Sequence, residues 1–343
     1  MIRKLLLLFL LLLLAAILAG QELERRWQSP LVLPAAGALL EVAPGDSLRA
    51  VANRLHREGV LPYPGMLILY ARWTGADQQI RHGEYRLLPP LTAPGLLELL
   101  RSGKVVQYQV TLPEGITLRQ ALAILASQEH LVPELEGPAD ARLLELVKPY
   151  QHPEGLFFPD TYQFSRGTTD FQVLQRAHRK LLQVLEAQWQ GRATELPYET
   201  PYEALIMASI IERETGLPEE REEIAGVFVR RLQAGMRLQT DPTVIYGVGD
   251  GFDGNLRRSD LDDEDNAYNT YRRDGLPPTP IALPGLDSIR AALHPSAGTA
   301  LYFVARGDGG HQFSATLAEH EAAVRKFQLQ RRQDYRSSPR QKP

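Results

Sequence analysis

The sequence contains no cysteine. That excludes disulfides, thiol nucleophiles and thiolate metal sites. It is compatible with an extracytoplasmic home, because oxidising compartments permit disulfides without requiring them. The eight histidines are scattered and no pair has the HExxH spacing of a zinc hydrolase, so neither a metal nor a cofactor is expected. Charge of one sign is also scarce: the net charge is −3 and there is no long basic stripe, which argues against nucleic acid as a partner. Against this mixed background two apolar runs stand out, Leu5 to Ala19 at the N-terminus and Ala204 to Ile211 in the second half.

The first run is almost pure leucine and follows Arg3 and Lys4. Its fifteen residues are short for a membrane span, which usually takes about 17 to 25. Flanking residues extend it, and the basic side chains can snorkel to the interface. Small residues at positions −3 and −1 of a cleavage site are poorly met here, and no cysteine follows for a lipid anchor. The expectation is an uncleaved single span over residues 5–20. Residues 1–4 would be cytoplasmic, with the bulk outside because Glu22 and Glu24 follow the run while basic residues precede it.

Roughly 320 residues remain, too many for one small domain, so two are expected after a linker at 21–38. Residues 39–110 read as a small α+β module. Leu39 to Val42 is a short strand, and Pro44-Gly45-Asp46-Ser47 a turn that delivers a helix cap. Leu48, Val51, Ala52 and Leu55 then form an i, i+3, i+4, i+7 stripe. Further helices are expected over 64–74 and 93–102, the latter closed by Gly103, and a strand over 105–112. This strand–turn–helix resembles a LysM module, a fold used elsewhere to hold glycan chains. A weak echo of it recurs at Thr111-Leu112-Pro113-Glu114-Gly115. From 111 to 327 a larger α+β domain follows, and the Gln-, Arg-, Ser- and Pro-rich tail at 328–343 is expected to be disordered.

The second run, Ala204 to Ile211, is too long for a usual strand and reads as a buried helix ending in the carboxylates Glu212 and Glu214. At helical spacing Glu212 stacks over Leu205, Ala208 and Ser209. A carboxylate withdrawn from water is held protonated to higher pH, as a general acid requires. The plain alternative is a helix end whose charge reaches solvent. Residues 219–234 form a second helix, ended by Gly235. The run Met236-Arg237-Leu238-Gln239-Thr240-Asp241-Pro242-Thr243-Val244-Ile245-Tyr246-Gly247 crowds hydrogen-bonding groups around a proline. It can be read as a functional loop or as the start of a helix at Asp241-Pro242.

Taken with Ala208 to Thr215, Tyr268-Asn269-Thr270-Tyr271, Gly275-Leu276-Pro277-Pro278 and Gly309-Gly310-His311-Gln312-Phe313, that run closely resembles the bacterial endolytic murein transglycosylases of the YceG-like family. The resemblance extends over the whole chain in order. It implies an inner-membrane anchor, a LysM-like subdomain and a periplasmic catalytic domain. It also implies cleavage of the MurNAc–GlcNAc β-1,4 bond within nascent glycan strands of peptidoglycan, ending strand elongation beside the synthases (penicillin-binding proteins). The family's catalytic glutamate falls on Glu212. One carboxyl would serve as acid and then base, leaving a 1,6-anhydro end. Ser209, Gln239, Asp241, Tyr246, Asn269 and His311 are the expected substrate-binding residues. Structural roles stand against three of them: a helix cap for Asp241, a turn for Asn269 and a satisfied imidazole for His311. Two other functions compete. A muramidase would need a second carboxylate, for which Asp241 is the candidate, since Glu214 at i+2 points away. A tethered glycan-binding scaffold would need no Glu212 at all.

Overall fold

A computed structural model describes residues 2–329 of the chain. The tail expected to be disordered therefore lies, from residue 330, outside the described residues. The fold is α+β, mostly helical with short two-stranded sheets, and the described residues divide into two compact units: 2–108 with 163–168, and 109–162 with 169–329.

The first unit begins with α1 (Ile2–Trp27), which runs well past the leucine-rich stretch. Its segment Arg3–Trp27 is the one helix among the described residues long and apolar enough to cross a membrane. Strand β1 (Ala38–Val42) follows. Then comes α2 (Leu48–Arg57), capped by the Ser47 hydroxyl, which accepts from the Ala50 N–H as the turn chemistry predicts. Helix α3 (Pro64–Thr74) ends on left-handed Gly75, and β2 (Gly83–Leu87) pairs antiparallel with β1 in the register Leu40 to Tyr85. Helix α4 (Ala93–Ser102) ends on Gly103 at φ 68°. Leu40, Val42, Val51, Leu55, Leu67, Tyr85, Leu96 and Leu100 make the core of this unit. Glu84, buried beneath it, is held by Arg166 at 2.9 Å and by the Tyr108 hydroxyl.

The second unit starts within β3 (Tyr108–Thr111) and continues through α5 (Leu118–Ala126), α6 (Ala141–Leu146) and β4 (Thr161–Phe164). Next come the long α7 (Asp170–Gln190), α8 (Pro201–Glu214) and α9 (Arg221–Gln233). α8 carries the expected buried run: every residue from Ala204 to Ile211 is buried. A helix apolar on all sides must be covered on all sides. Here α7, α9, α10 (Asp241–Val248) and α12 (Leu286–Leu293) surround it, with α11 (Arg258–Asp262) beside α10. The N-terminus of α8 is fixed by a capping box, Thr200 with Glu203, and by Pro201 in its first turn. The hairpin β5 (Tyr302–Ala305) and β6 (His311–Ser314) follows, then α13 (Leu317–Val324) and a π-helical turn at Arg325–Leu329, the last of the described residues.

A buried guanidinium ties this unit together. Arg231 of α9 donates to the carbonyls of Leu301 at 2.6 Å, Leu238 at 2.7 Å and Arg237 at 3.2 Å, so one side chain holds the run after α9 and the entry to β5.

Candidate active site

The carboxyl end of α8 projects its polar side chains in different directions. Glu212 lies on the face it shares with Ser209, one turn earlier, and both address the same segment, residues 281–285. The Ser209 hydroxyl donates to the Ile206 carbonyl at 2.7 Å and accepts from the Ile281 N–H at 3.0 Å. Glu212 Oε2 accepts from the Gly285 N–H at 2.9 Å. That segment is held from its other side, where Gly115 N–H donates to Leu283 O and Leu283 N–H donates to Ile116 O, each at 2.8 Å. The Glu212 side chain is 6% exposed, and its Oε1 faces the Arg221 guanidinium at 3.5 Å.

Arg221 gathers two further carboxylates, Asp287 at 3.4 Å and Glu114 at 3.9 Å. Burial, then the negative charge of Glu212, raises the Glu114 carboxyl above its usual range. Arg221 opposes the shift and Asp287 adds to it. Close backbone approach is required here: a Cβ on Gly285 would lie 1.9 Å from Glu114 Oε1. The cluster thus joins a carboxyl with one backbone donor to a cation shared among three acids.

Glu214, two residues on, turns elsewhere, as the i+2 spacing predicts. It accepts from the Thr240 hydroxyl, and burial pushes its carboxyl up to about 7, with Asp241 adding to the rise. Asp241 is exposed at the start of α10, where its Oδ1 accepts from the Tyr271 hydroxyl at 2.6 Å. Gln239 has φ 52°, the left-handed region a non-glycine residue rarely adopts, and its N–H donates to the Thr270 carbonyl at 3.2 Å. Gln239, Thr240, Asp241, Glu214 and Tyr271 therefore form a second polar group.

Tyr246 belongs to a third. Its hydroxyl donates to Glu154 Oε2 at 3.1 Å, and its ring meets Tyr268 edge-on at 4.8 Å. Glu154 is buried, accepts from the Leu118 N–H at 2.8 Å, and is pushed up to about 7 by that burial. The adjacent Gly155, at φ 77°, sits so close to Pro280 that a Cβ would come within 2.3 Å of the ring.

The remaining two expected residues make hydrogen bonds to other protein groups. Asn269 is buried, and its amide donates to the carbonyls of Asp260, Leu261 and Asp263, locking the turn after α11. His311 is buried against Glu220, with its N–H at 2.9 Å and its Nδ1 at 2.7 Å from the carboxylate. No group of three metal-ligating side chains occurs among the described residues.

The neighbours that give Glu212 its setting, Arg221, Glu114, Gly285 and Asp287, were not singled out in the sequence. In the sequence Glu114-Gly115 reads only as a turn echo, and Arg221 only as one residue of the helix expected over 219–234.

Residues 40–326 match the YceG-like family, and the chain belongs to it. It is 32% identical over 306 residues to the endolytic murein transglycosylase of Bacillus subtilis (strain 168), covering 84% of each chain. The endolytic murein transglycosylase of Streptococcus pneumoniae (serotype 2, strain D39) is 26% identical over 309 residues, 80% of this chain and 55% of that longer protein. A crystal structure of a YceG-like protein from Listeria monocytogenes superposes with a TM-score of 0.53 at 28% identity, covering 84% of this chain and 99% of that one.

Proposed function

We propose that this chain is a membrane-anchored lytic transglycosylase that cuts the MurNAc–GlcNAc β-1,4 bond inside peptidoglycan glycan strands, with Glu212 as the acid and then the base. Cleavage of peptidoglycan is the activity carried by the names of its relatives. The observation that supports Glu212 is its setting: a side chain 6% exposed, with Arg221 at 3.5 Å and the Gly285 N–H at 2.9 Å.

The reaction needs one carboxyl group. Protonated Glu212 gives its proton to the glycosidic oxygen as the C1–O bond breaks. The carboxylate left behind is stabilised by the Gly285 N–H and the Arg221 charge while positive charge resides on the sugar. The O6 hydroxyl of the same muramic residue then attacks C1, and its proton returns to Glu212. The C1–O6 bond formed is the 1,6-anhydro end, and no water is consumed. Segment 281–285, held by Ser209 at one end and by Glu212 at the other, fixes the aim of the acid.

Hydrolysis by a second carboxylate is the reading to separate from this one. The acids that share Arg221 with Glu212 are Glu114 and Asp287, whereas Asp241 is bound to Tyr271. Glu114 is thus the residue to substitute first should hydrolysis occur.

The β1–α2–α3–β2 order supports the LysM-like reading of the first unit, and α1 supports a single anchor with the catalytic unit outside the inner membrane. Glycan strands, and the synthases that extend them, are the partners this function requires. Mass spectrometry of muropeptides released from uncrosslinked glycan strands tests the proposal. Ends one water lighter than a reducing sugar are expected, and reducing ends would replace transglycosylation by hydrolysis.

A further inference from the structure

Helix α3 of the first unit has too little polarity for a surface helix: across Pro64–Thr74 its only charged residue is Arg72. One stripe, Leu67 and Ala71, is buried in the core. The opposite stripe, Met66, Leu69, Tyr70 and Trp73, follows the i, i+3, i+4, i+7 spacing of a second apolar face, and this face is open. Leu69 is 71% and Trp73 83% exposed. Large apolar side chains exposed together on one face mark an interaction site.

The place of this face in the fold says what covers it. The Tyr70 ring lies 4.8 Å from that of Trp27, the last residue of α1. The open stripe of α3 and the end of α1, including Leu23, line one groove of about 560 Å³. The groove therefore continues the apolar surface of the membrane span. At ~1.5 Å per residue, Leu5 to Ala19 spans about 21 Å, and Leu5 to Leu23 about 27 Å, against a hydrocarbon core of about 30 Å. Leu23 thus lies at the edge of the core beside Glu22, which sets Trp27 about 6 Å further on, in the interfacial layer where Trp and Tyr are favoured. The charges around it suit that layer: Arg25 and Arg26 pair with Glu22 at 2.6 and 2.7 Å, and the Arg26 guanidinium lies 5.3 Å from the Tyr63 ring centre.

We infer that the Met66, Leu69, Tyr70 and Trp73 face of α3 is seated in the phospholipid interface of the membrane that α1 crosses, so that the first unit rests on the bilayer as well as being tied to it. The inference rests on reading α1 as a membrane span, part of the proposed anchor.

The three tryptophans, Trp27, Trp73 and Trp189, allow a direct test on the full chain. A variant with Trp27→Phe and Trp189→Phe leaves Trp73 as the sole indole and keeps aromatic rings at the other two sites. It is reconstituted into phosphatidylcholine–phosphatidylglycerol vesicles with or without acyl chains brominated near the glycerol. Seating in the interface predicts a blue-shifted Trp73 emission, loss of intensity in the brominated vesicles and little quenching by aqueous iodide. Quenching by iodide alone would overturn the inference. So would protection from both quenchers, which would assign the face to protein contact, for instance a second copy of the chain. Comparison of the wild type with Trp73→Ala reads the same difference should the double variant fold poorly. Retention of the protein in vesicles after an alkaline wash tests the span separately, so its failure is distinguishable from that of the docking face.

Discussion

Glu212→Gln separates chemistry from folding. Glutamine keeps the shape of the side chain and an oxygen to accept from the Gly285 N–H, which donates at 2.9 Å in the native protein. Arg221 loses one anionic neighbour but retains Asp287 at 3.4 Å and Glu114 at 3.9 Å. Exchanging a charge-assisted hydrogen bond, worth ~1.5–3 kcal/mol, for a neutral one, ~0.5–1.5 kcal/mol, costs about 1 kcal/mol of stability. The chemical loss is larger, because an amide can neither give nor take the proton. Removing a general acid–base group costs about 10²–10⁴ in rate, or about 2.7–5.5 kcal/mol at ~1.36 kcal/mol per factor of ten. Release of anhydro-ended fragments from glycan strands, followed by mass spectrometry beside a urea unfolding curve, reads both quantities. A variant that folds as the wild type and still cleaves within tenfold of it would refute the assignment of Glu212.

Three further outcomes follow from other parts of the second unit. The Glu154 carboxyl is raised from 4.5 to about 7 by burial, so the folded state holds a proton that the unfolded chain releases. Its contribution is complete below about pH 4.5, is lost as pH rises through about 7, and amounts to roughly 3 kcal/mol. Urea midpoints should therefore fall across that window, with a shallower slope in Glu154→Gln; equal slopes would exclude Glu154 as the source. Gly155→Ala must adopt φ 77° with a Cβ 2.3 Å from Pro280, so a loss of about 2–5 kcal/mol in urea unfolding is expected from left-handed strain and overpacking together. Arg231→Lys cannot reproduce the three-carbonyl fork and should lower stability by about 2 kcal/mol or more in the same assay, since buried acceptors are left unpaired.

The elements that could be read from the sequence are those decided by adjacent residues. Ser47 caps α2, Gly103 and Gly235 take the positive φ that ends a helix, and the run from Ala204 to Ile211 is buried on every side. Misjudged boundaries have local causes. The strand expected over 105–112 forms only at Tyr108–Thr111, because Val105 N–H turns back to the Gly103 carbonyl at 2.8 Å. The helix expected from 219 starts at Arg221, its approach taken by a 3-10 turn at Pro218–Glu220. At Asp241-Pro242 a helix does begin, but the Thr240 hydroxyl in the cap position goes to Glu214 rather than to the helix. The setting of Glu212 was legible along α8 alone. Helical spacing puts Ser209 and Glu212 on one face, whereas Glu114, Arg221, Gly285 and Asp287 reach that face from segments far apart in the chain. Only the packed fold decides such meetings. Asn269 and His311 stand out in the sequence as polar residues in unusual strings; in the fold the Asn269 amide donates to the Asp263 carbonyl and His311 Nδ1 meets the Glu220 carboxylate.

The fork made by Arg231 bears on how the second unit opens. A single side chain accounts for hydrogen bonds to Arg237, Leu238 and Leu301. Neither stretch can leave without depriving the same cation of partners, so the run bearing Gln239 and Asp241 and the entry to β5 gain or lose order together. Amide hydrogens in these two stretches, distant in sequence, would then exchange as one cooperative group.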